Sequence, residues 1–220
     1  MVMPQIPLDT VISVFNTTVN LAGKVGGAII EIANKIAPYV EKIALVVQTI
    51  STLLGVIKPE DKTEDLGQAI RESSKKPEDF DSINDYIEHL RDEIKSGNID
   101  INRPKTDNEK IADMTLGVAI AIKAIDEKYA LTTNSDFWAL VGLKTKSDDI
   151  NADEVQALLE SSKESGIDTK NIANYIKGDK VESGVKASDV SELIENSLEK
   201  ANPNMSDEEI TSRFNKLLEK

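Results

Sequence analysis

Residues 8–57 read LDTVISVFNTTVNLAGKVGGAIIEIANKIAPYVEKIALVVQTISTLLGVI, a stretch rich in Val, Ile, Leu and Ala with only six charged side chains. Its apolar positions Val11, Ile12, Phe15, Val19, Ala22, Val25, Ile29, Ile32, Ala33 and Ile36 recur at three- and four-residue spacing, which is one face of an α-helix. Val14, Leu21, Ala28 and Ile30 widen that face to most of the circumference, so the helix has to be buried against something. Asp9 or Thr10 can cap its start. Pro38 has no amide to donate to residue 34, so the helix is expected to bend or break near Ala37. A second segment follows over 39–57, with Val40, Ile43, Val47, Ile50 and Leu54 on one face and Gly55 and Pro59 marking its end. The expectation is one bent rod or an antiparallel helical hairpin.

Gly23 and Gly27 stand four apart, and Thr18, Ala22 and Gly26 form a parallel row of small residues, the spacing that lets two helix backbones approach closely. The expected interaction face therefore comprises Ala22, Gly23, Val25, Gly26, Gly27 and Ile29 on the first segment, continued by Ile43, Val47, Ile50 and Leu54 on the second. A resident transmembrane helix is not expected. Spanning takes about 20 apolar residues, whereas the charge-free runs Thr10–Gly23 and Ile43–Ile57 are interrupted before that length by Lys24, Glu31, Lys35, Glu41 and Lys42.

The whole chain of 220 residues is long enough for a sizeable core. Aromatic side chains are only 4% of the residues, so aliphatic ones carry the packing. The absence of cysteine excludes disulfides, thiolate nucleophiles and cysteine-based metal sites. The net charge of −13 is concentrated at the C-terminal end, where residues 147–220 hold nine basic against seventeen acidic side chains. A phosphate backbone is repelled by such a surface, so no nucleic-acid partner is expected. The N-terminus MVMPQIPLDT lacks the basic region and cleavage site of a secretory signal, which suggests a soluble protein, cytoplasmic or exported by a signal-independent route.

Beyond residue 57 the sequence reads as a charged connector over 58–79, a central helical body over 80–146 and an acidic region of short helices over 147–220. The connector is expected to hold no more than a helical turn around Leu66–Arg71. A helix over 80–95 carries Ile83, Tyr86, Ile87, Leu90 and Ile94 on one stripe, and Ile99 and Ile101 suggest a short extended piece. Thr106 and Glu109 form a capping box that opens a strongly apolar helix, charge-free from Met114 to Ile122 and expected to be buried all round. Trp138 reads as packing at the edge of the core.

In the last third, an apolar residue is followed five positions later by another at Ile150 and Val155, Ile167 and Ile172, Val185 and Val190, and Met205 and Ile210. This is the hydrophobic staple, in which the residue before a helix cap packs on the fourth helical position. Asn151 with Glu154 and Ser206 with Glu209 complete capping boxes, Asp168 is a good cap and Lys186 a poor one. Helices are expected over 151–164, 168–177, 187–200 and 206–219.

Chemistry finds little foothold. His89 is the single histidine, and one histidine beside helical carboxylates makes neither a zinc site nor a triad. Asp149, Asn151, Asp153 and Glu160 fall at calcium-loop positions, but Glu154 replaces the turn glycine and Gln156 the apolar anchor, so a helix start explains them better. No metal or cofactor is expected. The sequence thus suggests an all-α protein, a long bent apolar N-terminal helix or hairpin joined to a multi-helix body that ends in short amphipathic helices. It is expected to be non-enzymatic and to act through protein contacts, with a partner or a second copy. The alternative is a membrane-active protein, of the helical pore-forming or inserting kind, that inserts residues 8–57 conditionally.

Overall fold

The computed structural model describes residues 26–219, and among these every element is helical, with no strand. The chain divides into two compact units, which meet in sequence between Glu127 and Lys128.

In the first unit, α1 (Gly27–Ile36) runs into a 3-10 turn, Ala37–Tyr39, and then α2 (Val40–Leu53). Ala37 and Val40 keep right-handed helical dihedrals, and only Tyr39 departs from them, at φ −126° and ψ 9°. The α-helix is thus interrupted at Pro38 by a 3-10 turn. Its inner side is uniformly aliphatic: Ile29, Ile32, Ala33, Ile36, Val40, Ile43, Val47 and Ile50 are all buried. At the turn, Ala37 packs with Ala112 and Ile111. The part of the apolar stretch before residue 26 lies outside the described residues.

The segment expected to be a connector is instead a structural helix, α3 (Thr63–Glu72), with Leu66, Gly67, Gln68, Ala69 and Ile70 buried. The high charge of the surrounding sequence conceals a narrow apolar stripe. A second 3-10 turn, Pro77–Asp79, leads to α4 (Ile83–Lys95), opened by Ser82, whose hydroxyl accepts from the Asp85 amide at 3.0 Å. The piece around Ile99–Ile101 is a turn, where the Asp100 carboxylate accepts from the Asn102 amide at 3.0 Å.

The long helix α5 (Asp107–Tyr129) starts at the expected Thr106–Glu109 box and is buried on all sides from Thr115 to Ile122. α3 crosses it at glycine on both sides. A Cβ on Gly67 would fall inside the Asp113 carbonyl, and one on Gly117 inside that of Thr63. Beside the crossing, the buried Asp113 carboxylate accepts from Arg71 Nε at 2.9 Å and Nη2 at 3.1 Å, with Lys105 at 3.5 Å.

The second unit contains α6 (Ser135–Lys146), α7 (Ala152–Ser165), α8 (Thr169–Lys177), α9 (Ala187–Ala201) and α10 (Asp207–Leu218). α9 packs on α7, α8 and α10, while α8 also contacts α6 and α10. The four expected C-terminal helices are present within a residue at each end, since their start signals are local. Asn151, Asp168 and Ser206 cap as expected and both boxes close, whereas Lys186 makes no side-chain cap. Trp138 is fully buried, with Nε1 donating to Thr133 Oγ1 at 2.8 Å. Glu154, also fully buried, accepts from Arg213 Nε and Nη2, both at 2.8 Å, and from Asn202 at 3.1 Å.

Candidate interaction surface

The outward side of α2 carries an exposed column four residues apart: Glu41, Leu45, Thr49 and Leu53. Leu45 is 64% exposed and Leu53 65%, more than any other large hydrophobic side chain among the described residues. Scattered surface leucines are ordinary. Two on one column, with no charged residue from Ile43 to Ile57, make an uncharged strip in which Thr49 separates the leucines and Gln48 and Thr52 lie half-buried alongside. Thr49 turns its hydroxyl back onto the Leu45 carbonyl at 2.9 Å, so the centre of the strip presents mainly a methyl group.

The strip's C-terminal end is held rigidly. Gly55 adopts φ +68°, and the Ser51 carbonyl accepts from the amides of Val56 and Ile57 at 2.8 and 3.3 Å. Arg91 of α4, 4% exposed, donates to the Val56 carbonyl at 2.9 Å, to Asp61 Oδ2 at 2.7 Å and to Glu88 at 2.6 Å. Asp61 also accepts from the Lys58 amide at 2.7 Å, and Gln48 of α2 donates to the Asp61 carbonyl at 3.2 Å. A buried guanidinium with its donors engaged by carboxylates and a carbonyl thus fixes the loop that ends α2. Sequence reading misses Arg91, because an arginine between Leu90 and Asp92 looks like any solvated helical charge.

The residues of the expected interaction face are distributed unevenly. Ala22, Gly23 and Val25 lie outside the described residues. Gly26 precedes α1 and comes close to the Pro77–Asp79 turn, where a Cβ would sit 3.1 Å from Glu78 Oε1. Gly27 is exposed with open space around it. Ile29, Ile43, Val47 and Ile50 point inward and are buried, and Leu54 is half-buried. On the outward side of the same rod the large exposed apolar side chains are Leu45 and Leu53, in one column with Glu41 and Thr49. Among the described residues no helix is long and apolar enough to cross a membrane.

No family model, curated protein or solved structure matches this chain. Its chemistry is therefore read from its own side chains. The His89 ring lies 5.1 Å from that of Phe80, as one more packed ring. Among the described residues no group of three or more His, Asp or Glu is arranged to hold a metal ion. Three of the four calcium-like positions are engaged by internal partners. Asn151 caps α7, Glu160 pairs with Lys200 at 2.8 Å, and Asp149 faces Lys216 at 3.3 Å, Lys144 at 3.7 Å and the Ser147 hydroxyl. Burial would raise the Asp149 carboxyl, but the hydrogen bonds from Ser147 and Lys216 and the charge of Lys144 outweigh it, so its pKa falls below the ordinary value. Tyr129 is pushed up to about 12 by burial and by the neighbouring Glu160 charge. Both groups are explained by packing.

Proposed function

We propose that this is a non-enzymatic helical protein that acts through protein contacts made by its apolar N-terminal rod, with the outward strip of α2 as the contact surface. The observation that carries this reading is the pair Leu45 and Leu53, each about two-thirds exposed on a rigidly anchored helix whose other face is buried. Contact cores are apolar and low in charge, and a strip without charge from Ile43 to Ile57 has that composition in a chain of net charge −13. Preorganisation of α2 by Arg91 lowers the entropy lost on binding.

The test is a photo-crosslinker. p-Benzoylphenylalanine replaces Leu45 in the full chain, expressed in the cells that naturally make it, with the same group at exposed Ser183 of the second unit as control. The reading expects a protein adduct from position 45 and none from 183. Adducts with lipid alone would favour the membrane-active alternative, and no adduct at all would remove the support for a contact surface here.

A further inference from the structure

We draw no further inference here: the strongest candidate, the exposed face of α2 that carries Leu45 and Leu53, belongs to the contact surface already described, and nothing in the structure shows what covers it.

Discussion

Gly67→Ala tests the tightest contact in the first unit. The new methyl group would fall inside the Asp113 carbonyl and 2.9 Å from Asp113 Cα, all of it backbone that cannot swing aside. Carbon contacts settle at about 3.5–4.0 Å, so α3 has to withdraw by roughly 2 Å. The side chains that flank the crossing, Leu66 and Ile70 on α3 and Leu116 and Ile120 on α5, are each 1% exposed or less, and such a shift loosens all four. If about 120 Å² of apolar surface loses its close contact, at roughly 25 cal/mol per Å², the cost is about 3 kcal/mol. Alanine returns about 1 kcal/mol of helix propensity over glycine, leaving a destabilisation of about 2 kcal/mol. Gly27→Ala, where a Cβ meets nothing within 4 Å, is the matched control, expected to be neutral or slightly stabilising. Urea unfolding, with hydrogen exchange of peptides from α3 and α5 as readout, measures both. A Gly67→Ala protein within about 0.5 kcal/mol of the parent would refute the close crossing as a determinant of this packing.

Arg213→Met is expected to cost about 3 kcal/mol, because it leaves the fully buried Glu154 carboxylate without its bidentate partner; a thermal midpoint close to that of the parent would contradict this. Glu109 accepts from the Thr106 amide and hydroxyl and from Arg103, which lowers its carboxyl to about 2. A folded-state pKa below the unfolded one contributes stability that is complete above about pH 4.5 and lost as the pH falls toward 2. The stability difference between the parent and Glu109→Gln is therefore expected to be constant near neutrality and to vanish by about pH 2 in acid denaturation. Ala130, just past α5, holds φ 53°, where a Cβ is strained, so Ala130→Gly is expected to raise stability by about 1 kcal/mol in urea titrations.

What was legible in the sequence was what is decided locally. The interruption at Pro38 needs only a missing amide, and the Asn151–Glu154 and Ser206–Glu209 boxes need only residues three apart. The Gly67–Gly117 crossing was not legible, because it joins two glycines fifty positions apart, and either alone looks like a weak point in a helix. Gly23, Gly26 and Gly27 stand out instead, because they cluster in one stretch. α3 was hidden because its buried stripe is short and flanked by Glu64, Asp65, Arg71 and Glu72. The outward strip was hidden for the opposite reason. Leu45 and Leu53 sit among so many aliphatic neighbours that only the three-dimensional burial of Ile43, Val47 and Ile50 sets them apart.

The self-capped helices of the second unit bear on how quickly it forms. All but α9 carry a side-chain cap of their own, and α9 packs on α7, α8 and α10. The connections between these helices are short, and folding in the microsecond-to-millisecond range of helical domains is the expected outcome of a stopped-flow measurement. Folding at that rate would leave Phe137, Trp138 and Phe214, which are buried in the native unit, in contact with water only briefly.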